Sequence, residues 1–145
     1  ENLMDIWFDY NIPKDSIVIE VSEDKVKGGL SDVLDKIVEL KNNGFHIAID
    51  NYGAKYADLF LFSEVKFDTL KLDRELVHKL ETDEKTCMIS KSVIDICKNY
   101  NISVVAEGVE NEKEYDILKE MGCDEAQGYL FDKPMSWNRF EEKYL

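Results

Sequence analysis

No apolar stretch in the chain approaches the roughly 20 residues that a membrane span requires, and no signal peptide opens it. Cysteine is scarce: Cys87, Cys97 and Cys123 are odd in number and show no paired metal spacing. They read as reduced, mostly buried thiols of a cytoplasmic protein, not as a disulfide framework or a zinc site. With 7 glycines and 2 prolines in 145 residues there is no flexible linker, and no repeat or low-complexity tract breaks the chain into parts. Basic residues are outnumbered, 18 against 31 acidic, which leaves a formal charge of −13. Such a surface repels nucleic acid and anionic membrane, so neither is expected as a partner. The two histidines, His46 and His78, stand alone, and the sequence gives neither a ligand role. An initiator methionine is also missing, and Leu3, Ile6, Trp7 and Phe8 look like the tail of a helix already under way. A piece of something longer is therefore expected.

An apolar fraction of 44%, with 11% aromatics, is ample for a core. Runs of strand length alternate with helical periodicity throughout. The β-branched run Ile17–Val21 predicts a buried strand, and apolar positions Val33, Leu34, Ile37, Val38 and Leu40 predict one face of a helix from Ser31 to Asn43, stopped at Gly44. A strand over Phe45–Asp50, a short helix over Tyr56–Phe62 and a strand over Phe67–Leu72 follow. The longest helix is predicted over Asp83–Tyr100, with Met88, Ile89, Val93, Ile96, Cys97 and Tyr100 inward. Ile102–Ala106 reads as a strand, Asn111 with Glu114 as an N-cap pair for a helix through Met121, and Ala126–Tyr129 as a last strand. Ser136 is expected to cap a closing helix. Strict alternation with fully apolar strands argues for an α/β fold with a parallel sheet covered by helices; a doubly wound sheet and a (β/α) barrel both fit.

Polar residues fall at the strand C-termini: Glu20, Asp50, Lys71 with Asp73, Glu107 and Gln127. One charge at a strand end marks only the return to solvent. Five consecutive strands ending this way predict a functional face, because in a barrel these ends converge. Clustered carboxylates repel one another unless a cation neutralises them, and hard oxygen donors suit Mg²⁺, Mn²⁺ or Ca²⁺ better than zinc. A neighbouring lysine can hold a phosphate oxygen or orient a water. The chemistry these groups suit is metal-assisted hydrolysis of a phosphodiester, with the metals also offsetting the protein's own negative charge. The acidic stretch Glu110–Glu120 is in the main a solvated helix face.

These segments resemble those of EAL domains. Ile19-Glu20-Val21-Ser22-Glu23 is similar to the family's E(L/I)TE strand, and Ala48-Ile49-Asp50-Asn51-Tyr52-Gly53 to its ALDDFG segment. Leu70-Lys71-Leu72-Asp73-Arg74 resembles KIDR, Val104–Glu110 reads VVAEGVE, and Gln127-Gly128-Tyr129-Leu130-Phe131 with Lys133-Pro134 resembles QGYLFxKP. The resemblance covers nearly the whole chain and implies a partial (β/α) TIM-like barrel, about five of eight parallel βα units, lacking the first three strands. It also implies hydrolysis of cyclic-di-GMP to the linear pGpG with Mg²⁺ or Mn²⁺ at a two-metal site. By position, Glu20, Asp50 and Asn51 match metal ligands. Glu107 matches the acid at the second metal and attacking water, Lys71 the water-orienting lysine, and Asp73 a further catalytic position. Gln127 and Glu110 match substrate-side positions, and Glu23 matches the glutamate supporting the loop after Asp50.

Departures accompany the match. The Glu-Ala-Leu motif and the asparagine ligand of the family are not in the chain, and Asn51 stands where a second aspartate is usual. The loop Gly53–Asp58 differs from the family's GTGYSS, which links the metal site to dimer contacts. Two functions therefore stay open, a phosphodiesterase in the complete protein and a non-catalytic cyclic-di-GMP receptor or interaction module. Five strands cannot close a barrel, so self-association or a homodimer is expected, with no turnover by these 145 residues alone.

Overall fold

The computed structural model describes residues 7, 10, 12–13, 16–27, 31–54, 59 and 61–145. The strands are β1 (Val18–Ser22), β2 (His46–Tyr52), β3 (Thr69–Leu72), β4 (Ser103–Glu107) and β5 (Glu125–Gln127). The helices are α1 (Glu23–Lys27), α2 (Ser31–Asn42), α3 (Leu61–Glu64), α4 (Arg74–Val77), α5 (Glu84–Asn99), α6 (Glu112–Met121) and α7 (Trp137–Tyr144). The five strands form one sheet, every neighbouring pair parallel, in the spatial order β1-β2-β3-β4-β5. That order separates the two architectures the sequence left open. A doubly wound sheet reverses direction at a switch point, whereas strands added in sequence order to one edge are the arc of a (β/α) barrel.

Register and the two-residue period of a strand sort the side chains onto two faces. On the outer, helix-covered face lie Ile47, Ile49, Leu70, Leu72, Val104 and Ala106, all buried. Phe45, Val93, Ile94, Cys97 and Leu118 belong to the same core, and Trp7 packs edge-on against Phe45 at 5.6 Å between centroids. The other face is polar, with His46 hydrogen-bonded to Thr69 at 3.0 Å.

Several boundaries differ from the sequence reading. The strand predicted to stop at Asp50 continues to Tyr52 through a bulge, and the last strand stops at Gln127, two residues before Tyr129. Two one-turn helices, α1 and α4, were not foreseen; both are too short for apolar periodicity to register. On α5 the buried positions are Thr86, Ser90, Val93, Ile94 and Cys97, whereas Met88 is 65% exposed, Ile89 50% and Tyr100 64%. The helix is turned relative to expectation because small Thr86 and Ser90 let it approach closely, and Met88 and Ile89 are left outside. Of the predicted helix over Tyr56–Phe62, residues 56–58 and 60 lie outside the described residues, as do most of the N-terminal helix and the loop after Ala54. Asn111 and Glu114 form the expected capping box, and Gly122 ends α6.

Candidate functional site

The register that buries the apolar rows fixes the polar ones. Glu20 stands opposite Ala48, two residues from Asp50 in β2; Ala48 stands opposite Thr69, two residues from Lys71. Lys71 stands opposite Val105, two residues from Glu107, and Glu107 is the partner of Gln127. Parity alone therefore places Glu20, Asp50, Lys71, Glu107 and Gln127 on one face, the one that no helix among the described residues covers.

Their convergence is close. Lys71 Nζ lies 2.7 Å from Glu20 Oε1, 2.9 Å from Glu107 Oε1 and 3.2 Å from Asp50 Oδ1, so carboxylates from three other strands surround one ammonium. The lysine side chain is only 13% exposed. Its burial alone would lower the pKa, but hydrogen bonds to Glu20, Glu107 and Asp50 outweigh that and hold it above the ordinary 10.5. Lys71 thus stays an ammonium at neutral pH: it donates protons in hydrogen bonds and cannot act as a base. Three carboxylates around one ammonium leave a local charge near −2.

Asn51 decides how Asp50 is presented. Its φ is 59, in the left-handed region that Asn and Asp tolerate better than other side chains. The β2–β3 register shifts here, and Tyr52, which strict alternation would place beside Asp50, is fully buried on the core side. The Asn51 amide donates to Asp50 Oδ2 at 2.7 Å. Asp50 Oδ1 is buried, and its contact is the ion pair with the Lys71 ammonium at 3.2 Å.

The loops at this end are braced by backbone contacts. Glu23, buried, accepts from the Gly53 N–H at 3.1 Å, which ties the start of α1 to the turn after β2. Asp73 accepts from the Glu75 N–H at 2.8 Å as N-cap of α4, leaving its second oxygen toward solvent. The His78 ring bonds the Gly108 carbonyl at 3.0 Å and lies 3.9 Å from Glu110 Oε1. Gly108 has φ 75, and a Cβ there would sit 2.4 Å from Arg74 Cβ; one on Gly128 would sit 2.0 Å from the Val109 oxygen. These two glycines let three strand ends approach one another.

Beyond Lys71 these loops shape an open cleft of about 430 Å³. Asn51, Asp73, Glu107, Glu110 and Gln127 line it, joined by Arg74 and Tyr129. The structure therefore gathers all nine sequence-selected residues at one end of the sheet: a carboxylate–lysine centre, its cleft, and Glu23 as a brace behind it. Two residues were missed. Arg74 was quoted within a motif and given no role, though it directly follows Asp73. His78 was set aside, and only its four-residue spacing from Arg74 links it to the site.

The donor set suits a hard divalent cation. Glu20, Asp50 and Glu107 offer oxygen alone, their formal charge exceeds what Lys71 neutralises, and Asp50 Oδ1 is buried with, among the described residues, only the ion pair to Lys71 at 3.2 Å facing it. Among the described residues, however, no three carboxylate, imidazole or thiolate groups are themselves grouped closely enough to share one ion, because Lys71 sits between them.

Comparison with known proteins places this arrangement. A family model described as "EAL domain" matches residues 1–134. Cyclic di-GMP phosphodiesterase RocR of Pseudomonas aeruginosa is 34% identical over 140 residues, which is 97% of this chain and 36% of RocR. Klebsiella pneumoniae BlrP1 in a calcium and cyclic-di-GMP complex superposes with a TM-score of 0.86 at 34% identity, covering 91% of this chain and 34% of that one. Its manganese and cyclic-di-GMP complex gives 0.85 with the same identity and coverage. The chain thus spans about a third of the length of these relatives. It belongs to the EAL domain family.

Proposed function

We propose that residues 1–145 form the C-terminal part of a single barrel domain that hydrolyses cyclic-di-GMP to pGpG in the complete protein. The observation that carries this reading is the meeting of Glu20, Asp50 and Glu107, from three strands, at Lys71 Nζ within 3.2 Å. RocR is a cyclic-di-GMP phosphodiesterase, and BlrP1 holds cyclic-di-GMP with calcium or manganese. Divalent cations held by Glu20, Asp50 and Glu107 would neutralise charge developing on the phosphoryl oxygens and make a bound water acidic enough to attack. Mg²⁺ and Mn²⁺ are the ions assigned, and Asn51 contributes a carbonyl oxygen without charge.

The chain's own groups then divide the work. Lys71, fixed as an ammonium, orients the attacking water and offsets charge on the phosphate. Glu107 accepts the proton that the water loses as its oxygen bonds to phosphorus. The P–O3′ bond breaks, the leaving 3′-oxygen takes up a proton from solvent, and the ring opens to pGpG. Gln127 and Glu110 bind substrate at the rim, Asp73 supports the water side of the site, and Glu23 keeps the Gly53 turn in place behind Asp50. No helix among the described residues is long and apolar enough to cross a membrane, and a cytoplasmic location is the one we assign.

A second reading has its own observation. The Asn51 amide donates to Asp50, and Lys71 occupies the space among the carboxylates, so the same groups can hold a cyclic dinucleotide without turning it over. Turnover of cyclic-di-GMP by the full-length protein in Mn²⁺, beside Asn51→Asp, decides between them. The enzyme reading expects pGpG from the wild type. An inert wild type with activity gained by the variant establishes the receptor, and inertness of both proteins with no binding removes the proposal.

A further inference from the structure

Arg74 lines the cleft beyond Lys71, together with the carboxylate residues Asp73, Glu107 and Glu110. Its guanidinium makes no ion pair or hydrogen bond with any described residue. The position is nonetheless fixed: its Cβ lies so close to Gly108 that any side chain there would collide with it. The same cleft holds the Gln127 amide and the Tyr129 ring, which is 57% exposed. An exposed arginine that pairs with no described residue and lines this cleft, its Cβ held against a glycine, has guanidinium donors available to a ligand.

Two parts of a cyclic dinucleotide can take those donors, a phosphate or a base edge. Three carboxylates and one guanidinium line the cleft, so its formal charge is net negative, which disfavours a second phosphate. A guanine edge is matched on both sides: O6 and N7 accept from the guanidinium fork, while N1–H and the N2 amino group donate to carboxylate or amide oxygens. Adenine would turn its N6 amino donor toward the same fork. We propose that Arg74 is a specificity-determining residue that reads the O6/N7 edge of one guanine, with the cleft as that base's subsite. This rests on the cyclic-di-GMP reading of the site above and assigns it a base contact.

The test is titration calorimetry of the full-length protein in calcium, the ion of one BlrP1 complex, with cyclic-di-GMP and with cyclic-di-AMP. Wild type, Arg74→Ala and Arg74→Lys are compared, with thermal melts to verify that all three fold. Loss of a bidentate guanine contact weakens cyclic-di-GMP binding in Arg74→Ala by roughly tenfold to a hundredfold. Cyclic-di-AMP affinity is expected to stay unchanged, and Arg74→Lys, which keeps charge but lacks the fork, is expected not to restore the loss. Equal weakening toward both ligands, rescued by lysine, would mean a phosphate contact and overturns the guanine assignment. Unchanged cyclic-di-GMP affinity in Arg74→Ala overturns any ligand role while leaving the function intact. A wild type that binds neither dinucleotide overturns the function and this inference together.

Discussion

Lys71 and Asp68 stand three residues apart and face opposite ends of the same strand. Toward the C-terminal end, Lys71 gathers carboxylates from three strands where packing alone would scatter them; this is a functional arrangement, since like charges so gathered gain nothing for folding. At the N-terminal end, Asp68 receives the Ile47 N–H at 2.8 Å and the Lys41 ammonium at 2.6 and 2.7 Å. Asp124 likewise receives the Val104 N–H at 2.8 Å. These are the stability contacts that the bottom of a barrel is expected to carry. Partial burial pushes the Asp68 pKa up, but the Ile47 N–H and Lys41 outweigh it and hold the group below the ordinary 3.8. A value lower when folded than unfolded stabilises the fold above that ordinary value, and the gain disappears as pH falls through the depressed one. Asp68→Asn is therefore expected to cost about 1–2 kcal/mol in urea unfolding at neutral pH, with the difference shrinking below about pH 4. An undiminished gap in acid would assign the cost to geometry, not charge. The thiols are quieter still: burial pushes Cys97 up to about 12 and Cys123 up to about 11, so both stay protonated near neutrality, and of the three cysteines only Cys97 is fully buried.

Among the elements, β2 shows where sequence reading succeeds and where it stops. Its apolar run and terminal Asp50 were legible because hydrophobicity and charge are properties of single residues. The bulge was not, since it follows from one dihedral at Asn51 and from which side Tyr52 must bury. The same limit explains α5: the sequence offers two apolar stripes, and only packing against β4 selects the one with Thr86 and Ser90 over the one with Met88 and Ile89. Lys71 was expected beside a metal-binding cluster; that it occupies the cluster's centre is a matter of distance, which no motif encodes. The bulge yields its own expectation. Asn51→Asp retains a residue able to adopt φ 59 but replaces the amide that donates to Asp50 with a second carboxylate, so its melting temperature is expected to fall without a cost from the backbone. Asn51→Val places a β-branched residue in the left-handed region and is expected to lose about 1–3 kcal/mol. Equal stability of the two variants would show that the strand straightens when asked, and that Asp50 is not aimed by the bulge.

At the scale of the molecule, the sheet is unfinished. Among the described residues β1 pairs only with β2 and β5 only with β4, so each leaves a line of backbone donors and acceptors open. Parallel sheets are as a rule covered on both faces, yet here the helices among the described residues cover only one. Apolar surface accompanies the open edge. On α7 no residue is buried; Trp137, Phe140 and Tyr144 stack along one side with centroids 6.0 and 5.1 Å apart. Asp132 anchors the helix through Lys143 and Tyr144. Between α7 and β5 runs a groove of about 730 Å³ bounded by Ala126, Phe131, Met135 and Trp137. Apolar surface of this kind beside an unpaired strand drives association, because burying it removes water from the aromatics and pairs the edge at once. The 145-residue chain alone is therefore expected to sediment as oligomers whose size rises with concentration. Trp137→Glu with Phe140→Glu should shift it toward the monomer, whereas Met88→Asp with Ile89→Asp on the far helix should not, if the β5 edge is the contact. Sedimentation as a monomer at every concentration would mean that the open face and edge tolerate water as they stand. The barrel arc would then be a self-sufficient fold, and the carboxylate–lysine centre would be assembled without any help from further strands.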